Sequence, residues 1–263
     1  MKTIFIIFFV YFPHFAHSSP TKPQFRVIGG VEVLSANAFP YQSVIFARFD
    51  YGSSLSSGSI LSEKFIITCA HCIINSKNVS IFYGSDNLSD LDYTRNQIVL
   101  SENYVIHPGY SPFVNDIALI SLNKGIHFDE TVQPLRLPNQ YEVDIDYTTK
   151  ALQLASWGVY SNANTFSISL RSASMEVISN SECSEIIPAN LVTSKVLCSK
   201  TSHCSGDSGS TLVERTDDND YLAVGIASFG LGMCEEGKVN PSVYMRIASY
   251  LDFIAEIINP ISS

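Results

Sequence analysis

Short runs rich in β-branched and aromatic residues recur along this chain, and clusters of Gly, Pro, Asn and Ser separate them. Such runs predict β-strands bounded by turns. In chain order they cover residues 41–49, 57–70, 78–84, 116–122, 151–158, 221–230 and 242–247. Because helices do not alternate with these strands, the pattern favours an all-β fold built from barrels or a sandwich.

The C-terminal end shows a different periodicity. Apolar residues recur there at spacings of three and four, which is the stripe of an amphipathic helix. They are Ile247, Tyr250, Leu251, Ile254, Ile257 and Ile258. Pro260 should end the segment because proline cannot continue a helix. We therefore predict one C-terminal α-helix.

The first eighteen residues have the pattern of a secretory signal peptide. Lys2 precedes an apolar run at residues 3–12, and the small residues Ala16 and Ser18 follow it. The run is shorter than the roughly 20 residues that cross a bilayer. We expect residues 1–18 to be a signal peptide and the mature protein to be soluble, secreted and extracellular, without a membrane anchor.

Charge limits the partners that we expect. Sixteen Lys and Arg against 25 Asp and Glu give a formal net charge of −9. The chain contains no basic run that could follow a phosphate backbone. Nucleic acid and anionic membrane surfaces are therefore not expected partners.

Cysteines and sequons fit an exported protein. The chain has six cysteines, an even number that suggests disulfides in an oxidising compartment. They are Cys69, Cys72, Cys183, Cys198, Cys204 and Cys234. Asn78 and Asn87 begin Asn-X-Ser triplets, which makes them candidate glycosylation sites.

Three residues with catalytic chemistry stand in separate motifs. His71 lies in ITCAHC, Asp116 opens the apolar strand of VNDIALISL, and Ser208 is the second serine of HCSGDSGST. A serine hydroxyl is a weak nucleophile, so it needs a base to take its proton and a third group to orient that base. The chain order His, Asp, Ser differs from that of α/β-hydrolases and subtilisins, and the motif G-x-S-x-G is absent.

Two other chemistries could use the CAHC stretch. A thioredoxin-like oxidoreductase needs a dithiol in a βαβ unit, whereas the surrounding segments are predicted to be all-β. A zinc site needs a second pair of ligands at suitable spacing, and none is apparent in the sequence. The acidic stretch at residues 84–92 is not predicted to bind calcium, because scattered carboxylates do not define a site. We expect no metal and no cofactor, and we interpret His71 as the base.

Taken together, these motifs resemble the chymotrypsin-like (trypsin-like) serine proteases. The matching pieces, in order, are RVIGG, TCAHC, NDIAL, SWG, CSGDSGS, SFG and PSVY. The resemblance implies a peptidase domain over residues 27–263 with two antiparallel β-barrels, at about 27–135 and 136–263. The active site would lie in the cleft between the barrels.

The resemblance also assigns catalytic roles. Ser208 Oγ would attack the scissile carbonyl of a protein or peptide substrate while His71 takes its proton, and Asp116 would orient His71. The backbone N–H groups of Gly206 and Ser208 would form the oxyanion hole, at about 3–4 kcal/mol per donor. The expected activity is that of a serine endopeptidase.

Activation by proteolysis is implied in the same way. Members of the family are cut before the residues that match VIGG, which here follow Arg26. A trypsin-like activating protease would free the α-amino group of Val27, which would pair with Asp207 and order the site. Residues 19–26 would be a short activation propeptide, and the uncut chain should be nearly inert.

The disulfide pattern departs from the family at one place. The resemblance implies the bridges Cys183–Cys198 and Cys204–Cys234. Cys72 normally pairs with a cysteine at the position of Ser56, which has no thiol, and Cys69 replaces a small residue. Residues three apart in a helical turn are close enough to bridge, so Cys69 and Cys72 could pair locally. Two buried free thiols are the alternative, and we favour the bridge because exported proteins meet oxidising conditions.

Substrate preference follows from the residues that should line the primary pocket. They are Ser202, His203, Ser228, Phe229, Gly230 and Ser242. Ser202 at the base is neutral, so cleavage after Arg or Lys is not expected. Ser242 replaces the usual glycine and should make the pocket shallower. We predict cleavage after apolar or aromatic residues, with Leu, Met, Phe or Tyr favoured over Trp. An acidic preference assisted by His203 is the alternative.

A rival hypothesis is a catalytically silent, secreted protease homologue that acts as a binding protein. Two departures keep it open, because Ser56 removes a family bridge and Ser210 replaces the last glycine of the commoner GDSGG. Retention of all three catalytic residues argues for the enzyme. As an enzyme, the chain is expected to be a monomer that meets protein protease inhibitors.

Overall fold

A computed structural model describes residues 30–90, 98–159, 166–218, 220–230 and 241–259. The predicted signal peptide, the predicted propeptide, Arg26, Val27 and Cys234 lie outside these ranges. Within them, no helix is long and apolar enough to cross a bilayer. The described strands form two antiparallel sheets.

The first sheet is built from the N-terminal half of the chain. The first strand of the chain, β1 (Val31–Glu32), does not belong to this sheet. The strands of the sheet are β2 (Gln42–Phe49), β3 (Gly52–Ser62), β4 (Phe65–Thr68), β5 (Asn78–Tyr83), β6 (Ile98–Ser101), β7 (Asn103–Ile106) and β8 (Ala118–Ser121). Their spatial order is β6-β5-β2-β3-β4-β8-β7. β1 pairs elsewhere.

The second sheet contains the C-terminal strands and β1. Its other strands are β9 (Leu152–Ser156), β10 (Arg171–Met175), β11 (Val177–Ile178), β12 (Val196–Ser199), β13 (Thr211–Arg215), β14 (Tyr221–Gly230) and β15 (Ser242–Arg246). The spatial order is β1-β10-β9-β13-β14-β15-β12-β11. Val31 of β1 faces Ser172 of β10, so the N-terminal strand crosses to the second sheet.

Helices are short and connect or flank the strands. They are α1 (Ala70–Ile73), α2 (Asn180–Ser184) and α3 (Leu251–Ile258). A 3-10 helix over Ile247–Tyr250 leads directly into α3. Ile247, Tyr250 and Ile254 are buried, as the apolar stripe requires. The predictions of an all-β fold with two antiparallel β-barrels and of a C-terminal helix are confirmed.

One predicted strand is in fact a hairpin. The run at residues 57–70 divides into the end of β3 and all of β4, which pair with each other. The N–H of Lys64 donates to Ser62 Oγ over 3.2 Å at the turn. The apolar residues on both sides of this polar turn are equally buried, so periodicity alone does not reveal where one strand ends.

Apolar side chains from both sheets share one large buried cluster. Its fully buried members include Ile45, Ile60 and Ile66 from the first sheet and Ile226 from the second, together with Trp157. Burying each such aliphatic side chain is worth about 1.5–3 kcal/mol. This shared core holds the two sheets in a fixed relation, which the site between them requires.

Small polar side chains join the sheets beside that core. Thr211 Oγ1 donates to Ser59 Oγ over 2.8 Å, and Ser57 Oγ donates to the carbonyl of Gly206 over 3.0 Å. The N–H of Ser57 donates to the carbonyl of Ser208 over 2.9 Å. Because Ser57, Ser59 and Thr211 are buried, their polar atoms need such partners. The result is a loop of the second sheet fixed against a strand of the first.

Candidate active site

His71 is held at two points by one carboxylate. β4 ends at Thr68, and the chain turns at once into the single-turn helix α1 that carries His71. The backbone N–H of His71 donates to Asp116 Oδ1 over 2.8 Å, and Nδ1 lies 2.6 Å from Asp116 Oδ2. An ionised carboxylate only accepts hydrogen bonds, so the ring proton belongs on Nδ1. Nε2 is then left as the basic nitrogen.

Asp116 is buried just before β8. It is 2% exposed and follows Asn115, whose φ of 49° turns the chain inwards. Ser228 Oγ donates to Asp116 Oδ2 over 2.5 Å from the second sheet. Burial alone would raise the pKa of the Asp116 carboxyl, but hydrogen bonds from His71 and Ser228 outweigh it and hold the pKa below its ordinary value. The carboxylate therefore stays ionised.

Ser208 lies on a tight loop between Cys204 and β13. Its carbonyl accepts from the N–H of Ser57 in the first sheet, and the next N–H, that of Gly209, donates to Ala227 in the second sheet over 2.8 Å. The Ser208 side chain is partly exposed. The loop thus presents a serine hydroxyl at the junction of the sheets.

The imidazole of His71 has two sulfur atoms close to its Nε2. Its Nε2 lies 3.7 Å from Cys69 Sγ and 3.9 Å from Cys72 Sγ. In the part of the chain that the structure describes, no hydrogen bond joins His71 to Ser208. Hydrogen bonds between catalytic groups are often long before substrate binds and tighten in the complex. The structure therefore brings His71 and Asp116 into contact and places Ser208 on the adjoining loop.

Two backbone amides of the Ser208 loop have no acceptor. The N–H groups of Gly206 and Ser208 donate to none of the residues in the described ranges. Gly206 has a φ of +91°, and a Cβ there would lie 2.8 Å from Phe166 and 2.9 Å from Gly158. Only glycine fits this conformation and this space. These two donors have the chemistry that an oxyanion hole requires.

Asp207, next to the serine, is a buried carboxyl. Its Oδ1 accepts from Ser156 Oγ, and its Oδ2 accepts from the N–H of Cys204 over 2.6 Å. Burial raises the pKa of Asp207 to about 7, although hydrogen bonds from Ser156, Cys204 and Gly158 oppose the shift. The expected cationic partner, Val27, lies outside the described residues.

Two of the predicted pocket residues, His203 in the loop after β12 and Ser242 at the start of β15, are in contact. The N–H of His203 donates to Ser242 Oγ over 2.7 Å, and its ring packs 5.5 Å from that of Tyr244. Burial, with a smaller effect from the charge of His71, lowers the pKa of His203 to about 4. The ring is therefore neutral at pH 7. Ser202 is partly buried beside it.

The remaining pocket residues lie on β14. Phe229 packs its ring 4.8 Å from that of Phe113, and Gly230 is exposed. A Cβ at Gly230 would lie 3.3 Å from the carbonyl of Pro241 and 3.6 Å from Ser242 Oγ. A side chain at this position would therefore crowd the start of β15.

One disulfide lies beside His71 in the candidate site. The structure contains the bridges Cys69–Cys72 and Cys183–Cys198. Cys204 is also disulfide-bonded, and its expected partner Cys234 lies outside the described residues. Ser56 is buried, and its hydroxyl has no hydrogen-bond partner among the residues that the structure describes.

The two candidate glycosylation sites are both partly exposed. Asn78 is the first residue of β5. Asn87 forms an isolated antiparallel bridge with Ser169 just before a 3-10 helix, and its Oδ1 accepts from the N–H of Ser89 over 2.8 Å. Both remain predictions.

Sequence reasoning missed three positioning residues. Ser57 anchors the Ser208 loop, Ser156 binds Asp207, and Ser228, predicted only as a pocket residue, binds Asp116. Each is one of many serines in predicted strands. Nothing in its local sequence shows which distant residue its side chain contacts. Phe113, which packs on Phe229, carried no sequence signal either.

Replacing Gly209 by Ala should destabilise the fold by about 2–5 kcal/mol. A left-handed φ, here +85°, costs a non-glycine residue about 1–2 kcal/mol. A Cβ would also overlap the carbonyl oxygen of Ser57 and Thr68 Oγ1, and overpacking of this kind costs about 1–3 kcal/mol. Urea unfolding of both proteins would measure the difference.

Gly52→Ala is the matched control for this prediction. Gly52 has a φ of +147°, and a Cβ there would meet nothing within 4 Å. Gly52→Ala should therefore show only the loss in unfolding free energy that comes from the positive φ, with no steric overlap. Equal losses in the two variants would contradict the predicted overlap at Gly209.

Comparison with known proteins places the fold in a family. The Trypsin family model matches residues 27–254. The chymotrypsin of Phaedon cochleariae is 29% identical over 236 residues, which cover 88% of this chain and 82% of that protein. The collagenase of Hypoderma lineatum is 30% identical over 239 residues, which cover 88% and 86%. The solved structure of HL collagenase matches with a TM-score of 0.77 and 28% identity, over 88% of this chain and 98% of that one. The chain is therefore a serine endopeptidase of the trypsin family, with the chymotrypsin-like fold.

Proposed function

We propose that this endopeptidase cleaves proteins through an acyl-enzyme formed on Ser208, with His71 as general base and Asp116 as the acid that orients it. The observation that carries the proposal is the two-point contact between Asp116 and His71, which fixes both the ring and its tautomer. The free N–H groups of Gly206 and Ser208 would stabilise the oxyanion.

Labelling with a fluorophosphonate tests this function. The chain processed after Arg26 should react at one serine, and Ser208→Ala should abolish the reaction. Ser205→Ala is the matched control, because Ser205 is an exposed serine of the same loop and should label normally. A processed, folded chain that resists the label would support the silent binding protein instead. Dithiol turnover that survives Ser208→Ala would support an oxidoreductase.

We further propose that the protein is secreted as a zymogen. Residues 1–18 would be removed on export, and cleavage after Arg26 by a trypsin-like protease would release residues 19–26 and start the peptidase domain at Val27. The buried Asp207 supports this proposal, because a carboxyl in such a place needs a cationic partner when it ionises. From the family likeness we also propose that protein protease inhibitors bind the enzyme and that it is a monomer.

Cleavage after Leu, Met, Phe or Tyr is the proposed specificity. Ser202 and the neutral His203 leave the pocket base without charge, and Ser242 occupies space beside it. A hydrophobic pocket discriminates by about 1–3 kcal/mol per missing methylene, so a graded preference is expected. A peptide panel varied at the cleaved residue would measure kcat/KM for each side chain. Efficient cleavage after Arg, Lys or Glu would contradict the proposal.

A further inference from the structure

Two sulfur atoms lie near one nitrogen of the active-site histidine, and the three atoms together are potential metal ligands. Nε2 of His71 lies 3.7 Å from Cys69 Sγ and 3.9 Å from Cys72 Sγ. All three donor atoms lie within 4.8 Å of one another. In the oxidised protein the two sulfurs bond to each other, and neither is a thiolate that could bind a metal.

The distances from nitrogen to sulfur suit a tetrahedral zinc ion. Bonds of about 2.3 Å to sulfur and about 2.0–2.1 Å to nitrogen place the two ligand atoms about 3.5–3.6 Å apart. The observed separations are close to this value. The distance between the two sulfurs must increase from about 2.0 Å in a disulfide to about 3.8 Å, which is the separation of two thiolates bound to one tetrahedral ion at those bond lengths. Side-chain rotation allows this, since the Cα atoms of Cys69 and Cys72 are 5.3 Å apart.

Asp116 already supplies the hydrogen-bond acceptor that a zinc-bound histidine requires at its other ring nitrogen. A histidine that ligates through one nitrogen almost always donates the other N–H to a carboxylate, carbonyl or water. Here Nδ1 lies 2.6 Å from Asp116 Oδ2. The contact that orients a general base would therefore also orient a metal ligand.

The charge balance of the site and its exposure to solvent also favour metal binding. Two thiolates balance one divalent cation, so metal binding leaves no net charge at the buried cysteines, which are 0% and 4% exposed. The His71 side chain is 41% exposed, which gives the ion a path from solvent. Sites with three protein ligands, including Cys2His sets, hold zinc and leave the fourth position open.

We propose that reduction of the Cys69–Cys72 bridge creates a Cys2His site for Zn²⁺ with Cys69, His71 and Cys72 as ligands. Metal binding there occupies the nitrogen that would take the serine proton, so the metal-loaded form is inactive. The metal site stands on geometry alone, whereas its effect on activity rests on the proposed function.

The redox step needs a dithiol as reductant. The dithiol supplies two electrons and two protons, its own sulfurs join in a disulfide, and the bond between the two protein sulfurs breaks to give two thiols. Zn²⁺ then displaces both thiol protons to solvent as the two S–Zn bonds form. Reoxidation by a disulfide reverses the sequence: the two protein sulfurs give up two electrons and bond to each other, the disulfide takes those electrons and two protons to become a dithiol, and the ion is released, which returns Nε2 to its role as a base.

Cobalt binding to the full chain carrying Ser208→Ala tests the metal site without protease activity. After reduction, Co²⁺ should bind once per chain and give a thiolate-to-cobalt charge-transfer band, which Zn²⁺ should remove. Cys69→Ala/Cys72→Ala should lose the band, and Cys183→Ala/Cys198→Ala, the matched control, should keep it. Asp116→Asn should weaken zinc binding by about 10–100-fold.

Alkylation mapping gives a second measurement that needs no cysteine variant. In the reduced chain, Zn²⁺ should slow the alkylation of Cys69 and Cys72 and leave the alkylation rates of Cys183 and Cys198 unchanged. Absence of the band, protection of the other cysteines only, or a bridge that resists reduction in the folded chain would overturn the proposal.

A separate activity test distinguishes failure of the metal site from failure of the protease. Zinc should abolish fluorophosphonate labelling of the reduced, processed chain and leave the oxidised chain labelled. An oxidised chain that never labels refutes the protease, while cobalt binding still decides the metal site. Equal labelling of both forms in zinc would overturn the inhibitory role.

Discussion

Replacing Ser208 by Ala is expected to lower kcat by about a millionfold, and replacing Asp116 by Asn is expected to lower it by about ten-thousandfold. The first change removes the nucleophile. The second keeps the shape of the site and changes only which hydrogen bonds it makes. Steady-state hydrolysis of a peptide substrate by the processed chain would measure both losses.

The Asp116→Asn loss follows from the two-point contact with His71. The backbone N–H of His71 requires an acceptor, so the amide oxygen of Asn would occupy the position of Oδ1. The amide NH2 would then face Nδ1 and make that nitrogen an acceptor. The ring proton would move to Nε2, which could no longer take the serine proton. Ser228 can adapt, because a hydroxyl both donates and accepts.

Groups that act as one unit give losses that do not multiply. The double variant His71→Ala/Ser208→Ala should be no slower than Ser208→Ala alone, and Ser205→Ala should retain full activity. If the two single losses multiplied in the double variant, His71 and Ser208 would be acting independently. The proposed mechanism would then be wrong.

The sequence predicted the fold class because the motifs and strand runs are local features. It placed His71 after a strand and Asp116 before one, and the structure has them at the end of β4 and just before β8. It also anticipated a local Cys69–Cys72 bridge, because Ser56 cannot supply the usual partner. Each of these inferences rests on residues close together in the chain.

What the sequence could not predict depends on contacts between distant residues. Ser57 and Ser228 each bind a residue more than a hundred positions away. β1 belongs to the N-terminal half by sequence but pairs with β10, because hydrogen bonding between strands depends on the packed fold. The hairpin of β3 and β4 was missed because both strands are buried, which hides their alternation.

Asp207 should make the uncut chain lose stability as pH rises. Its pKa is raised by burial to about 7, so the folded chain keeps a proton that the unfolded chain releases near pH 4. The stabilising contribution is therefore complete below the ordinary pKa of Asp and is lost as pH rises to about 7. The loss amounts to about 4 kcal/mol in the free energy of unfolding. Tyr244, the titratable group that faces Asp207, has its own pKa raised and stays neutral over this range.

Cleavage after Arg26 should recover that loss by supplying a partner. The freed ammonium of Val27 would pair with Asp207, lower its pKa and remove the fall in stability between pH 4 and 7. Urea unfolding in a Ser208→Ala background, which prevents self-digestion, should show the cut chain more stable than the uncut chain by about 4 kcal/mol at pH 7. At pH 4 the two should be nearly equal.

Asp207→Asn is the control that assigns this pH dependence to one carboxyl. Asn has nearly the same shape but no charge, so the uncut variant should lose the component of the pH dependence that Asp207 contributes, and cleavage should not stabilise it. The cut variant with Ser208 intact should also stay inactive, because nothing would draw Val27 into place and order the Gly206 and Ser208 amides. If the variant were activated normally by cleavage, Asp207 would not be the activation partner. The buried acid beside the nucleophile would then have only a structural role.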